Sequence, residues 1–136
     1  MEGVAWALHK YVMHGFLWVL HEDHHRTGGR RLQKNDLFAL FFATLSFLLI
    51  YNGLSLGVAP LAAAGFGVTL YGAGYFIFHD IMFHRRIKAI HYRPRNRYLR
   101  RIIAAHRVHH RVAAKTGGTS FGFLYAPKRY DADIEA

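Results

Sequence analysis

The sequence predicts an all-α integral membrane protein, a single domain (residues 1–136) whose helical bundle contains a transmembrane hairpin with histidine-rich segments at its outer ends. Three observations predict this class. The forty-two residues from Leu37 to Phe78 carry no charged side chain, all eighteen Lys and Arg lie outside that stretch, and ten of the eleven histidines form four short motifs that flank it. A soluble domain of this length has too little interior to bury such a stretch, whereas a bilayer accommodates it readily.

Composition narrows the possible function classes. The chain has no cysteine, which excludes disulfides, thiolate metal sites and cysteine nucleophiles. Its formal net charge of +10 is typical of a protein that binds nucleic acid or an anionic membrane surface. A nucleic-acid site needs stacking aromatics beside its basic residues, and the aromatics here are concentrated in the uncharged stretch. We therefore expect a membrane partner and no nucleic acid.

The uncharged stretch divides into the two helices of the hairpin. The first is predicted at about residues 37–52, after a capping Asn35 or Asp36 and ending at Asn52-Gly53. The second is predicted at about residues 60–78. Both outer ends of the hairpin are basic, with five Lys and Arg before it and thirteen after it. This bias predicts that both ends lie on the cytoplasmic side of a bacterial inner membrane.

The amino-terminal segment, residues 3–20, is also apolar and compatible with a helix, and Trp6 and Trp18 suit a membrane interface. It has no basic start and no small-residue cleavage site, and it continues directly into a histidine motif. It is therefore not a signal peptide.

The histidine motifs follow the same order twice, H-x4-H and then H-x2-H-H, once on each side of the hairpin. The ten histidines are His9, His14, His21, His24, His25, His79, His84, His106, His109 and His110. In a helix, H-x2-H-H places its imidazoles within an arc of about 100°. In residues 97–112 this arc continues the apolar stripe of Leu99, Ile102 and Ile103, while the arginines lie on the opposite face. We therefore expect these imidazoles to point inward.

Inward imidazoles in this number predict a metal centre. Packed together without a shared partner they would be unfavourable, and ligation removes that cost. Ten ligands are too many for one ion, whereas five each suit two. The carboxylates beside the motifs, Glu22, Asp23 and Asp80, either orient the ligands or are merely solvated. A paired site of nitrogen ligands favours two redox iron ions, with zinc as the alternative.

The spacing of the motifs requires distorted helices. Histidines at i and i+5 lie about 140° apart on an ideal α-helix, so an H-x4-H pair cannot face one ion without a distorted or terminating turn. His14 and His21 would lie about 10 Å apart along a continuous helix. We predict that Gly15 breaks the helix between them.

With these motifs the chain resembles the membrane-bound di-iron fatty acid hydroxylase superfamily and, within it, the bacterial beta-carotene 3-hydroxylases. The residues that carry the resemblance cover nearly the whole chain. They are LHKYVMHGFLWVLHEDHH from Leu8 to His25, KNDL at 34–37, HD-x3-HRR from His79, AHRVHH from Ala105 and SFGFLYAP from Ser120. The histidine set is specific to the superfamily, and the KNDL, HD and SFGF-x-YAP pieces point to the carotene branch.

The resemblance implies a monooxygenase that uses O2 and two electrons at a di-iron centre to hydroxylate C3 of a beta-ionone ring. Beta-carotene from the bilayer would pass through beta-cryptoxanthin to zeaxanthin. The resemblance also implies that the ten histidines bind the metal, with His91 outside every motif, and that a reduced ferredoxin-type carrier supplies the electrons. Similar proteins carry more apolar sequence before the first motif, so we expect the amino-terminal span to be truncated or minimal.

Three alternatives stay open. They are another membrane di-iron hydroxylase acting on a fatty acid or sterol, a carotenoid ketolase, and a membrane metal-binding or transport protein without enzyme activity. Transport would need polar groups within the spans, and residues 37–78 offer few. The alternating Phe121, Phe123 and Tyr125 either line the substrate's path or cover the helices, and the sequence favours covering.

Overall fold

The amino-terminal arm is a helix that widens in its middle and is then broken. The computed structural model describes residues 1–26, 32–87, 89–90 and 94–134. In the arm, helix α1 (Glu2–Ala7) continues into a π-helical segment (Leu8–Phe16), and helix α2 (Trp18–His25) follows after a kink. The arm ends in the second histidine motif.

A membrane-spanning hairpin follows the arm. Helix α3 (Asp36–Ser55) has 20 residues, and helix α4 (Ala59–Tyr75) continues through a second π-helical segment (Phe76–Phe83) to a total of 25. At 1.5 Å per residue they are about 30 and 37 Å long, which is enough to cross a bilayer. Apolar side chains on their outer faces are exposed, among them Phe41 (60%) and Leu70 (77%), as lipid contact requires. The all-helical fold with a membrane hairpin is confirmed.

Glycines allow the two helices of the hairpin to approach closely. A Cβ built on Gly53 would overlap the main chain of Ala62, and one built on Gly65 would overlap the facing residue of α3. Beside this contact the hydroxyls of Ser46 and Thr69 lie 2.5 Å apart. Small residues and a hydroxyl pair are typical of helix contacts in lipid.

Both helices extend beyond the predicted bounds. Asn52-Gly53 does not end α3, because the Asn52 side chain donates a hydrogen bond to the Leu48 carbonyl and Gly53 remains helical. The chain reverses instead at Gly57, whose φ is +69°. At the end of the hairpin away from this turn, the second helix continues through Phe83.

Helix α5 (Arg97–His110) packs against the end of the hairpin that lies away from its turn. Its buried Ile102 and Ala105 form a small core with Tyr130, and Phe83 of the second π-helical segment packs against it. The inward stripe of α5 is therefore the one expected from its sequence. Asn96 caps the amino terminus of α5, because its side chain accepts hydrogen bonds from main-chain amides of the first turn.

The arginine face of α5 is only partly exposed to solvent. A 3-10 helix (Lys128–Ile134) lies along it, and Asp131 accepts from Arg101 at 2.6 Å and pairs with Arg97 at 3.2 Å. Arg100 and Arg107 remain exposed. The carboxy-terminal segment thus fixes α5 in place, which in turn fixes its histidines.

Candidate metal centre

Both H-x4-H motifs begin in π-helical segments; His84 directly follows the second segment. A π-helix joins residues i and i+5 through its main-chain hydrogen bond, as the His84 amide does with the His79 carbonyl at 3.0 Å. Histidines five residues apart therefore share one face. The ring centroids of His9 and His14 lie 5.2 Å apart, and those of His79 and His84 lie 4.5 Å apart. The distortion that the spacing requires is confirmed in both motifs.

The predicted break at Gly15 is also confirmed. Gly15 has φ −102° and ψ −123°, which lie outside the helical region, and the chain turns before α2. The imidazoles of His14 and His21 are consequently brought together, with centroids 5.0 Å apart. A straight helix would have separated the first two motifs.

The ten motif histidines converge into two groups of five. Within each group, one ring nitrogen of every imidazole lies within 4.8 Å of the others. The first histidine group is His9, His14, His21, His25 and His109, and the second histidine group is His24, His79, His84, His106 and His110. All but His9, His84 and His110 are buried. Metal ligation by these ten side chains stays a prediction, which their convergence supports.

The two groups exchange one histidine each. Every H-x2-H-H motif gives its first and third histidines to the group of the preceding H-x4-H pair, and its second histidine to the other group. His24 thus joins the second group and His109 joins the first. Helix geometry explains the exchange, because positions i and i+4 differ by about 40° whereas i+3 lies about 60° to the other side.

Every imidazole of the first histidine group donates its Nδ1 proton to an oxygen of the chain. Four acceptors are main-chain carbonyls after α5, at 2.7–3.1 Å, and the fifth is the Asn35 side chain at 2.7 Å. The pairs are His9 with Phe121, His14 with Lys115, His25 with Val112, His109 with Thr119 and His21 with Asn35. These bonds assign the proton of each ring to Nδ1 and leave each Nε2 with a lone pair.

The lone pairs of the first group face one another. Nε2 of His9 lies 3.1 Å from Nε2 of His21, and Nε2 of His25 lies 3.1 Å from His14 and 3.2 Å from His21. Two acceptors cannot share a hydrogen bond, so this arrangement is favourable only around a cation. The residues therefore fit a metal ion.

The second histidine group is anchored by side chains. Nδ1 of His79 donates to Asp80 Oδ1 and Nδ1 of His24 donates to Gln33 Oε1, both at 2.9 Å. For the other three imidazoles, no acceptor of Nδ1 lies among the described residues. Nε2 of His110 is buried and has no hydrogen-bond partner within the described ranges, as an atom placed for a metal ion should.

Burial keeps these imidazoles neutral. Burial, together with the neighbouring imidazoles, lowers the pKa of His25 and His84 to about 3 and the pKa of His109 to about 4. At neutral pH the rings are therefore in the form that binds a metal.

Of the three carboxylates singled out in the sequence, Asp80 contacts an imidazole, as described for His79. Glu22 pairs with Arg26 at 2.6 Å, and Asp23 accepts from the Lys34 amide at 2.7 Å. In the part of the chain that the structure describes, neither accepts a hydrogen bond from a histidine. Both act locally, at the end of the arm.

An apolar cavity of about 530 Å³ leads from the hairpin to the histidines. Apolar side chains of the arm and of both hairpin helices line it, together with His9 of the first group and His79 and His106 of the second. Phe121 and Phe123 form part of its wall, so they do more than cover the helices. The volume lies within the range of small-molecule sites.

Several residues of the centre were missed in the sequence. Asn35 was interpreted as a helix cap, although its side chain holds His21. Gln33 carried no signal beyond its position beside the KNDL motif. Tyr75 stands four residues before His79 and therefore on the same helix face, a spacing that would have indicated it. His91 lies outside the described residues.

A membrane hairpin joined to two converging groups of five imidazoles is consistent with a membrane-bound protein that has a di-metal site. A family model described as fatty acid hydroxylase matches residues 1–127, and the chain belongs to that family. No solved structure matches the chain.

The proteins of known function to which the chain is similar include beta-carotene hydroxylases of bacteria and plants. The chain is 50% identical over 127 residues to the beta-carotene hydroxylase of Pantoea ananas, covering 93% of this chain and 71% of that protein. It is 46% identical over 136 residues to that of Pseudescherichia vulneris, covering 100% of this chain and 75% of that protein. It is also 35% identical over 131 residues to the chloroplastic beta-carotene 3-hydroxylase 2 of Arabidopsis thaliana, covering 93% and 41%.

Proposed function

We propose that this protein is a membrane beta-carotene hydroxylase that acts at C3 of the beta-ionone ring and converts beta-carotene through beta-cryptoxanthin to zeaxanthin. The observation that carries the proposal is the apolar cavity that joins the membrane hairpin to the histidine centre. The identity to bacterial and plant beta-carotene hydroxylases supports the choice of substrate.

The cavity suits a substrate that is dissolved in the bilayer. Its wall includes Phe38 and Phe42 of α3 and Val68 of α4, so one end of a hydrocarbon can leave the lipid between the helices without contacting water. His79 and His106 lie in the wall of the same cavity, so a ring bound there reaches the second histidine group. The polyene chain stays among apolar side chains.

The cofactor is two iron ions, one at each histidine group, which when bound supply the activation of O2 that no side chain provides. The chain's residues orient and isolate the reaction. The acceptors of the Nδ1 protons fix the direction of each Nε2, and the packing of Phe121 edge-on against His9, His14 and His109 excludes water from the first group.

The histidine centre lies on the cytoplasmic side, and a reduced ferredoxin-type protein supplies the electrons. Support for the side is the excess of Lys and Arg at both outer ends of the hairpin. Support for an acidic donor is the basic surface beside the centre, where Arg100 and Arg107 are exposed.

Pigment analysis in a carotene-producing bacterial host tests the function. Expression of the chain should produce zeaxanthin with some beta-cryptoxanthin, and expression of His109→Ala to the same level should leave beta-carotene unchanged. Canthaxanthin would identify a ketolase instead. Unchanged beta-carotene with the wild-type chain, together with exchangeable zinc in the purified protein, would identify a metal-binding protein.

A further inference from the structure

Tyr75 lies against the second histidine group, inside the cavity. It is the last residue of α4, and its ring stacks on the imidazole of His79 with centroids 4.2 Å apart and planes 20° apart. On its other side it contacts the ring of Phe123, at 5.5 Å between centroids. The phenol is therefore held between a histidine and an apolar wall, and it lines the cavity itself.

The hydroxyl of Tyr75 points at the nitrogen of His79 that faces the group. Its oxygen lies 3.1 Å from Nε2. Because Nδ1 of His79 donates to Asp80, Nε2 is an acceptor and the phenol O–H is the donor. The same Nε2 lies 3.0 Å from Nε2 of His24, so it faces the interior of the second group.

If the second group binds a metal ion, Nε2 of His79 would give its lone pair to that ion, and the phenol would lose its acceptor. The carboxamide of Asn35 lies beside the Tyr75 hydroxyl. Its oxygen accepts from His21, and among the described residues the Tyr75 hydroxyl has no hydrogen bond other than the one to His79. The proton of Tyr75 is then directed into the space between the cavity and the second group, where an unmet O–H is unfavourable.

We infer that Tyr75 is a catalytic residue, whose hydroxyl donates a hydrogen bond to O2 at the second histidine group, beside the substrate ring. The inference rests on the proposed function for the identity of the reaction. The phenol keeps its proton, and its role is to direct and stabilise the oxygen that it contacts. Asn35 lies beside the phenol and holds His21, so it stands between Tyr75 and the first group.

The test compares Tyr75→Phe with Tyr71→Phe. Tyr75→Phe keeps the ring and its stack on His79 and removes only the hydroxyl. Tyr71→Phe is the matched control, because Tyr71 lies about one turn earlier in α4 and its hydroxyl donates to Glu2 at 2.7 Å. Azide is the probe, since it is a small anion that binds iron at an open position and accepts hydrogen bonds. Absorption titration of the oxidised, iron-loaded protein with azide requires neither carotenoid nor turnover.

We expect both variants to keep the iron content of the wild type. Tyr75→Phe should weaken azide binding about tenfold or more, because it removes a hydrogen bond to a charged acceptor. Tyr71→Phe should bind azide as the wild type does. In the carotene-producing host, Tyr75→Phe should form about tenfold less hydroxylated carotenoid per amount of protein.

Equal azide affinity in the two variants would overturn the inference. Loss of iron from Tyr75→Phe would overturn it as well, because the hydroxyl would then serve to hold His79. If the wild-type chain forms no hydroxylated carotenoid, the proposed function fails, and the azide titration still decides whether Tyr75 faces the open side of the metal.

Discussion

The two histidine groups have the same composition of motifs, but their imidazoles are held by different hydrogen-bond acceptors. Each combines an H-x4-H pair that begins in a π-helical segment, two histidines of the following H-x2-H-H motif and one from the other repeat. In the first group all five Nδ1 atoms are held, four of them by main-chain carbonyls. In the second, side chains hold His24 and His79. The cavity wall includes one histidine of the first group and two of the second.

We interpret this difference as a division of roles between the two histidine groups. Main-chain carbonyls do not depend on side-chain identity, so the geometry of the first group follows from the fold of the segment after α5. The geometry of the second group depends on Gln33 and Asp80, and this group borders both the cavity and Tyr75. We therefore expect the first group to be the more rigid metal site and the second to be the site at which reactivity is set.

Removing one ligand from either group should have the largest effect. We expect His109→Ala in the first group, and His106→Ala or His110→Ala in the second, each to abolish hydroxylation, because a lost ligand changes metal occupancy and the open position together. The measurement is zeaxanthin formed per amount of membrane-inserted protein, with iron determined on the same samples. Full activity in His109→Ala would exclude a di-metal mechanism for this chain.

Substitution of the acceptor of His79 should have a smaller effect, confined to the second group. Asp80→Asn keeps the shape of the side chain and removes its charge, so hydroxylation should fall roughly ten- to hundred-fold without loss of expression. Glu22→Gln is the control, because Glu22 pairs with Arg26 away from the imidazoles. Equal losses in the two variants would mean that Asp80 acts no differently from a surface carboxylate.

Chelation should distinguish the groups directly. Iron should leave in two kinetic phases, the faster from the second group, since fewer of its imidazoles are held in place. Asp80→Asn should accelerate the faster phase about tenfold and leave the slower phase unchanged. Stopped-flow absorbance with a coloured ferrous chelator measures both rates. A single phase for the wild type would contradict the proposed difference in rigidity.

The pH dependence of stability should be alike for the two groups, because both are buried. In the unfolded chain histidines titrate near pH 6.5, whereas folding lowers the pKa of His84 to about 3 and the pKa of His109 to about 4. As the pH falls below 6.5, the unfolded chain binds protons that the folded chain does not, so the free energy of unfolding of the metal-free protein should fall. Below about pH 5.5, where the unfolded imidazole is almost fully protonated, each of these histidines contributes about 1.4 kcal/mol per pH unit.

The matched variants His84→Ala and His109→Ala test this dependence. Each should reduce the mean slope of the unfolding free energy against pH, between pH 7.5 and 5.5, by about half a proton. Thermal or denaturant unfolding of the metal-free protein in detergent gives the slope. A slope that changes for one group only would show that burial does not act on both.

His91 should matter least. It belongs to neither motif repeat, so His91→Ala should retain most of the wild-type activity and iron content. Pigment analysis beside His109→Ala measures this. A variant as inactive as His109→Ala would mean that the set of ten ligands is incomplete.

The sequence predicts the parts of the centre that depend on spacing and misses those that depend on the main chain. The repeated motifs indicate two ions, the i, i+5 spacing requires widened turns, and Gly15 marks the break, because each follows from helix geometry. The acceptors at Thr119 and Val112 are carbonyls, which every residue possesses, so no residue type identifies them. Asn35 was assigned to a helix cap because that role is frequent for asparagine beside a helix start.

The helix ends were predicted less well for a related reason. Asn52-Gly53 is a common turn signal in solution, where water competes for the backbone. Within the hairpin the side chain of Asn52 bonds to its own helix and Gly53 provides the close contact with Ala62, so the same pair continues α3. The environment, rather than the residue type, decides which role a glycine takes.

The exchange of His24 and His109 between the two groups also determines when each group becomes complete during synthesis of the chain. Four histidines of the first group lie within the first 25 residues, yet the fifth is in α5, so neither group is complete until the ribosome has made almost the whole chain. Both halves of the chain then have to emerge on one side of the membrane, which requires that the hairpin is already inserted. For the proposed di-iron protein we therefore expect metal loading to be a late step, because a chain that is truncated before α5 or inserted with one half inverted has no complete site for iron.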